Sequence, residues 1–465
     1  MLPVQLIQSL EGIKGFNSKA FEAVHVSGEQ VTSVRLNRLK AESLKQNAKS
    51  MEDAALSLKP LAFSIKKPVP WCENGFYLSE RPSFTFDPLF HAGAYYVQEA
   101  SSMFLWEMIK QTVGTATNKK VLDLCAAPGG KSTLLASYFR DGLIVSNEVI
   151  KSRAAILTEN IIKWGADNVI VTNNDPKDFQ RLENYFDVIV IDAPCSGSGL
   201  FRKDPNAINE WSEENVNLCS LRQQRIVADV LPALKQNGIL IYSTCSYSKQ
   251  EDEEVLDWLM ENYQLSTVHC PLSTDWNIVE VQSDKHQAHG YRFYPDKIKG
   301  EGFFIAAFTK TNGEEESYHS AQNLQLANKQ ELEQLRSFIP LPQTYSVFKQ
   351  NEALRAIKET WLTSLQQLAK HLYIKKAGVE LGIIKGKDFI PSHELAVSMI
   401  PLQSLAAIEL SKEDALQYLK RKEFVTDAPK GWTLVKYCGL SLGWIKVLPN
   451  RINNYYPQEW RILKD

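Results

Sequence analysis

The sequence contains no run of about 18 uncharged apolar residues, so no membrane-spanning helix is expected. It also lacks a basic leader with an apolar core. Residues Met1 to Gly15 carry Glu11, and no secretory signal is expected. There is no C-x-x-C pair. The seven cysteines, at 72, 125, 195, 219, 245, 270 and 438, are odd in number and widely spaced, which argues against a disulfide framework and a cysteine zinc site. The expected setting is a reducing cytoplasm, with no metal and a monomeric chain. An excess of basic charge is missing too. The formal net charge is −2, so a nucleic-acid partner has to be argued from local patches. No internal repeat stands out. What remains is ordinary globular composition, 44% hydrophobic and 23% charged over 465 residues, enough for about two to four domains.

The pattern along the chain divides it. Residues 1–115 mix a helical opening with short apolar runs such as Val31–Leu36. The Pro-rich stretch Lys66–Trp71 and the segment Arg81–Pro88 read as turns and extended pieces, giving a small α+β lobe. Across 116–310, apolar runs (Lys120–Leu124, Leu143–Asn147, Asn168–Asn173, Phe186–Asp192, Gly238–Ser243) alternate with helical stretches such as Lys151–Trp164 and Leu221–Lys235. That alternation predicts an α/β, Rossmann-like parallel sheet covered on both faces, closed by a further strand over Gly302–Thr309. Residues 311–330, with Glu314–Glu316, read as a polar linker. The region 331–465 opens on a helix near Lys329–Phe338 and then turns Gly- and aromatic-rich. From Lys420 to Asp465 it holds nine Lys/Arg against four Asp/Glu. With Trp432, Tyr437, Trp444, Tyr455, Tyr456 and Trp460 this is a candidate RNA surface, against the plainer reading of a β module with a solvated basic face.

Five features fall at successive strand ends, where a parallel sheet binds its ligands. The first is Asp123-Leu-Cys125-Ala126-Ala127-Pro128-Gly129-Gly130-Lys131-Ser-Thr. Its glycines admit close backbone approach, and the following helix offers free N–H groups. A phosphate-binding P-loop would need glycine where Cys125 stands, and the dinucleotide fingerprint G-x-G-x-x-G is absent. The second is Glu148, 18 residues after Gly130, placed to take the hydroxyls of a ribose. The third, Asp175, is suited to the exocyclic amine of an adenine; either carboxylate alone would be read as a loop or cap residue. The fourth and fifth are Asp192-Ala-Pro-Cys195-Ser-Gly197 and Ser243-Thr-Cys245-Ser246. Buried, inert thiol is the plain reading for Cys72, Cys219, Cys270 and Cys438. Cys195 and Cys245 differ in sitting just past strand ends.

These pieces, with Tyr96-Val-Gln-Glu-Ala-Ser-Ser102, Arg202-Lys-Asp204, Gln224-Arg225 and Gly300-Glu-Gly-Phe-Phe304, resemble the NOL/NOP/Sun family of RNA cytosine-5 methyltransferases over roughly residues 95–308. One departure is Glu251-Asp252-Glu253, where the family commonly has Glu-Asn-Glu; only local tuning is expected from it. The resemblance implies a class I methyltransferase domain. Residues 125–131, Glu148, Asp175 and Asp192 would line a site for S-adenosyl-L-methionine. Cys245 would be the nucleophile, needing a lowered thiol pKa, with Cys195 assisting release and Asp192 holding the base edge. The target cytosine would be flipped or single-stranded. Gly378–Lys385, Phe389–His393, Gly439–Lys446 and Asn453–Pro457 are similar to the tail of the bacterial RsmF-like subgroup. That likeness implies a PUA-like RNA-binding module and 16S ribosomal RNA of the small subunit as substrate. The rival readings are a transfer RNA methyltransferase, a catalytically silent ribosome-assembly factor and an ATP-binding enzyme. The paired cysteines disfavour the silent factor, and Cys125 disfavours the ATP-binding enzyme.

Overall fold

The computed structural model describes residues 2–41, 65–314, 317, 319–402 and 405–464. Of the acidic run at 314–316, residues 315 and 316 lie outside that set. No helix among the described residues is long and apolar enough to cross a membrane.

The N-terminal lobe carries β1 (Ser33–Leu36), β2 (Ile65–Pro68), β3 (Gly75–Leu78) and β4 (Tyr95–Val97) in the order β2-β3-β1-β4. The apolar run at 31–36 supplies β1. The Pro-rich stretch supplies β2 and a turn, and Arg81–Pro88 holds the short 3-10 turn Phe84–Phe86.

The central sheet is built from β5 (Lys120–Asp123), β6 (Leu143–Asn147), β7 (Val169–Thr172), β8 (Phe186–Asp192), β9 (Leu234–Thr244), β10 (Leu265–Thr267), β11 (Val279–Gln282), β12 (His289–Phe293) and β13 (Phe303–Lys310). Its order is β11-β12-β13-β9-β8-β5-β6-β7, with β10 also on β13. The block β9-β8-β5-β6-β7 is parallel, and β13 runs antiparallel to β9. Parallel strands are covered on both faces, and this is why Val188–Ile191 reads as an unbroken apolar run. The helix Lys151–Trp164 stops at Gly165, whose φ of +81° suits glycine. The helix expected over 221–235 spans Glu213–Val230 instead. Ser212 caps its start, accepting from the Asn215 amide at 3.0 Å, and Pro232 follows its end, so Leu234 and Lys235 already belong to β9.

The remaining strands are β14 (Tyr345–Gln350), β15 (Ala353–Lys358), β16 (Ile374–Ala377), β17 (Val379–Lys385), β18 (Asp388–Pro391), β19 (Ala407–Glu409), β20 (Gly431–Tyr437), β21 (Leu440–Leu448) and β22 (Arg451–Asn454). Two four-stranded sheets result, β14-β15-β17-β18 and β19-β20-β21-β22. The helix Lys329–Phe338 begins with a capping box formed by Asn328 and Glu331. The boundary expected at residue 310 does not separate the sheets. β16 pairs antiparallel with β7 as an added edge, and Trp361, Leu365 and Leu368 enter the same core as β8 and β9. The polar stretch after 310 is also docked in part, for His319 is buried and bonded to the Glu183 carbonyl. The first lobe shares a core with the last sheet, where Val34, Leu89 and Tyr95 meet Val435, Leu442 and Tyr456.

Candidate active site

The sheet order reverses between β5 and β8, which opens a crevice beyond their carboxyl ends. β5 delivers Asp123, fully buried. Its Oδ2 accepts from Ser132 Oγ at 2.6 Å, and its Oδ1 has no partner among the described residues. Burial pushes this carboxyl up to about 7. The loop then runs through Cys125, Ala126, Ala127, Pro128 and Gly129, where φ reaches +116°, and enters the helix Gly130–Tyr138. The Ala126 amide donates to the Asn147 carbonyl at 2.8 Å. Arg153 holds the Ala127 carbonyl at 2.9 Å, and Asn160 holds that of Pro128 at 2.8 Å. Burial pushes the Cys125 thiol up, and the carboxylates of Asp123, Asp192 and Glu148 add to this, so it stays protonated.

Glu148 follows β6 and is buried. Its Oε1 accepts from the Ile150 amide at 2.8 Å, and its Oε2 faces Arg153 at 3.6 Å. Asp175 follows β7 and caps the 3-10 turn Pro176–Arg181, accepting from the Lys177 amide at 3.2 Å. Both carboxylates therefore carry local bonds besides any ligand. A residue the sequence reasoning passed over ties their loops together. Asn147 donates to the carbonyls of Leu124 and Asn174, and accepts from Thr172 Oγ1 at 2.9 Å and the Asn174 amide at 3.0 Å. The glycine cradle, the unpartnered Asp123 oxygen and the flanking carboxylates suit a nucleoside-bearing cation, which fits S-adenosyl-L-methionine.

β8 ends on Asp192. Its Oδ1 accepts from Ser243 Oγ at 3.0 Å and pairs with Lys131 Nζ at 2.8 Å, and the side chain stays 38% exposed. Just beyond, Cys195 Sγ lies 3.0 Å from Cys245 Sγ. That hydrogen bond, together with burial, holds the Cys195 thiol well above its usual range. The two loops are tied twice over. The Gly199 amide donates to the Cys245 carbonyl at 2.8 Å. Glu251, with no exposed surface, accepts from the Ser196 amide (2.8 Å), Ser196 Oγ (2.5 Å), Ser246 Oγ (2.6 Å) and Gln223 Nε2 (3.1 Å). Next to it, buried Asp252 accepts from Thr244 Oγ1 at 2.6 Å and lies 3.2 Å from Arg292, which also pairs with Glu253. Burial alone would lower the Arg292 pKa, but the two carboxylates hold it above its ordinary value. The acidic triplet is thus the scaffold of both thiol loops. Its sequence signals were its position a few residues after Cys245 and its likeness to the family's Glu-Asn-Glu, from which only local tuning was expected.

The other cysteines divide. Cys72, Cys219 and Cys270 are buried, whereas Cys438 is half-buried at the β20–β21 turn with φ of +49°, against the expectation of a core thiol. In the tail, Trp444 and Tyr456 are core residues and cannot stack on a base. Trp432, Tyr437, Tyr455 and Trp460 keep partial exposure, with Lys446 over the Trp432 ring at 5.3 Å.

A parallel sheet of this order with an antiparallel β13 beside β9, a glycine loop after β5 and acidic residues at the neighbouring strand ends defines a class I methyltransferase. Residues 111–309 match the 16S rRNA methyltransferase RsmB/F family, residues 2–100 the N-terminal domain of 16S rRNA methyltransferase RsmF, and residues 406–462 the methyltransferase RsmF PUA domain. A ribosomal RNA small subunit methyltransferase F from Shewanella loihica is 31% identical over 84% of this chain and 83% of its own length. Another from Shewanella sediminis is 30% identical over 92% and 90%. Among solved structures, a methyltransferase homolog from Pyrococcus horikoshii has a TM-score of 0.51 at 28% identity, covering 66% of this chain and 100% of that one. The chain belongs to the ribosomal RNA small subunit methyltransferase F family, and is an RNA methyltransferase with a C-terminal PUA domain.

Proposed function

We propose that the chain methylates carbon-5 of a cytosine in small-subunit ribosomal RNA through a covalent adduct on Cys245. The observation that carries this reading is the pair of thiols 3.0 Å apart beside Asp192, at the ends of adjacent strands. Burial and the hydrogen bond to Cys245 hold the proton on Cys195, which suits that thiol to handling a proton, and the attack on the base is assigned to Cys245. Cys245 Sγ bonds to carbon-6 of the unstacked base, and the ring electrons shift to carbon-5. Bound S-adenosyl-L-methionine supplies the methyl group that carbon-5 accepts. With Cys245 tied up in a C–S bond, the hydrogen bond to it, the largest of the influences that hold the Cys195 proton, is gone and burial remains. Cys195 then releases that proton to solvent and takes the carbon-5 proton, and the C–S bond breaks to return Cys245 as thiolate. One proton is released per turnover, and the thiol pair is restored. Asp192, fixed by Ser243 and Lys131, faces the base edge. The regions 1–115 and 331–465 position the RNA around the 116–310 domain.

The test is denaturing electrophoresis with labelled RNA. Cys245→Ala forms neither product nor adduct, while Cys195→Ala accumulates a protein–RNA adduct. An adduct in Cys245→Ala would place the nucleophile on the wrong strand end. No adduct from either variant, with product still formed, would remove the covalent mechanism.

A further inference from the structure

At the β11–β12 edge of the central sheet, three side chains from separate segments converge. Glu280 Oε1 lies 3.2 Å from His269 Nε2 and 2.8 Å from His289 Nδ1. The three ligand atoms all fall within 4.8 Å of one another, and the imidazole centroids are 4.7 Å apart. Nothing in the proposed reaction uses them.

The backbone under each ligand is pinned. Glu280 and His289 sit diagonally across the β11–β12 pair, in which Gln282 is opposite His289 and Glu280 opposite Tyr291. The His289 amide donates to Thr267 Oγ1 at 2.9 Å. His269 is flanked by Val268, whose amide donates to the Ala307 carbonyl at 2.9 Å, and by buried Cys270, whose amide donates to the Tyr291 hydroxyl at 2.6 Å. Such bonding fixes the ligands before any ion arrives, which limits the ordering cost of binding.

The geometry points to a site for a divalent transition-metal ion, with zinc as the occupant, held by His269, Glu280 and His289. Zinc bonds to imidazole nitrogen and carboxylate oxygen of about 2.0–2.2 Å, at tetrahedral angles, put neighbouring ligand atoms roughly 3.3 Å apart. The two Glu280–imidazole separations, 3.2 and 2.8 Å, both lie below that spacing, so the side chains need only rotate slightly apart to admit the ion. His269 is half exposed, so the fourth position opens to water. Two imidazoles with one carboxylate select zinc and its neighbours over the hard cations calcium and magnesium. A bound ion cross-links the segment after β10 to the β11–β12 hairpin and so fastens the outer edge of the sheet. The sequence reading excluded cysteine spacings, and this ligand set is invisible to spacing because it comes from three strands' worth of chain.

The experiment uses the full chain, stripped with a chelator and titrated with Zn2+ against a colorimetric zinc indicator. One equivalent is expected to bind and to raise the melting temperature. His269→Asn, the most exposed change, and Glu280→Gln each weaken binding at least tenfold while circular dichroism stays at the parent value. Because Cys195 and Cys245 are themselves a possible zinc pair, a Cys195→Ser/Cys245→Ser variant is titrated beside them and keeps the equivalent. Co2+ gives a visible ligand-field band without a thiolate charge-transfer band. No stoichiometric binding, binding undiminished in His269→Asn and Glu280→Gln, or loss of binding in the cysteine variant would each overturn the site. None of these outcomes bears on the methylation mechanism.

Discussion

Replacing Glu251 by alanine removes the one carboxylate that both thiol loops share. Four donors lose their acceptor: the Ser196 amide, the Ser196 and Ser246 hydroxyls, and Gln223 Nε2. A buried donor left unpaired costs about 1–3 kcal/mol. The hydroxyls have a fallback, since Ser196 Oγ and Ser246 Oγ are 3.4 Å apart and can turn toward each other. The Ser196 amide has no such fallback, while Gln223 Nε2 still donates to the Pro194 carbonyl at 3.1 Å and Gln223 Oε1 still accepts from the Tyr242 hydroxyl at 2.9 Å. Removing a carboxylate whose burial already raises its pKa returns part of the loss. The net expectation is about 2–4 kcal/mol of destabilisation. The larger effect is on chemistry, because a shift of about 1 Å in a reacting group costs on the order of 100-fold in rate. Glu251→Gln keeps one acceptor oxygen but turns an N–H2 toward a donor, and should fall between parent and alanine variant. Single-turnover methyl transfer to small-subunit RNA, run beside cofactor binding, reads this out. The rate falls while S-adenosyl-L-methionine affinity holds, since Glu251 makes none of the bonds that shape the Cys125–Lys131 loop. A folded Glu251→Ala with a single-turnover rate within about twofold of the parent would refute the idea that this carboxylate sets the thiol geometry.

Arg292→Met strands the buried carboxylates of Glu253 and Asp252, and a broken buried pair costs about 3–5 kcal/mol, checked as a lowered denaturation midpoint. Burial lowers the pKa of His393 to about 3 and of His91 to about 4, so both are neutral in the fold. The unfolded chain takes these protons first as pH drops below its own value near ~6.5, so the stabilisation is whole above that pH and is lost as pH falls toward about 4 and then 3. Between pH ~7 and ~5 the two histidines together should cost about 4 kcal/mol, and His393→Gln should remove about half of that slope; a midpoint that does not move would contradict it. In the tail, Lys446→Ala should weaken RNA binding and reduce the salt slope by about 1 without touching cofactor affinity, measured by filter binding over a salt series; an unchanged slope would take Lys446 off the RNA surface.

How legible was this in the sequence? The strands of the parallel block were readable because burial on both faces leaves them uniformly apolar, as in Phe186–Asp192. The loops that bear Cys125, Glu148, Asp192, Cys195 and Cys245 followed from where those runs end. The helix before β9 was read too far because Leu231, Ala233 and Leu234 continue an apolar spacing past Pro232, and the structure uses the proline to stop it. The scaffold was harder to see. Glu251-Asp252-Glu253 was legible as a variant of a family triplet but not as a buried scaffold, since nothing local shows that Ser196, Gln223, Thr244 and Arg292 will close around it. Among the tail aromatics, composition cannot tell Trp444, which is fully buried, from Trp432, which is not. A strand such as β16, whose pairing partner lies far away in the chain, carries no local mark of that partnership.

That last strand sets an order of events on the ribosome. β7 is finished when Thr172 leaves the exit tunnel, yet its outer edge is covered only when Ile374–Ala377 emerges, about 200 residues and roughly 10–40 s later at ~5–20 residues per second. Throughout that interval the nascent methyltransferase domain displays a bare strand edge, apolar from Val169 to Val171, the kind of surface that recruits another chain. The same late segment brings Tyr373, whose amide and carbonyl bond to Asn174 one residue before Asp175. The loop that bears Asp175, beyond the end of β7, is therefore among the last parts of the domain to be completed during synthesis, and a chain released early, with residues 1–310 intact, would carry both thiols on a sheet still open at its edge.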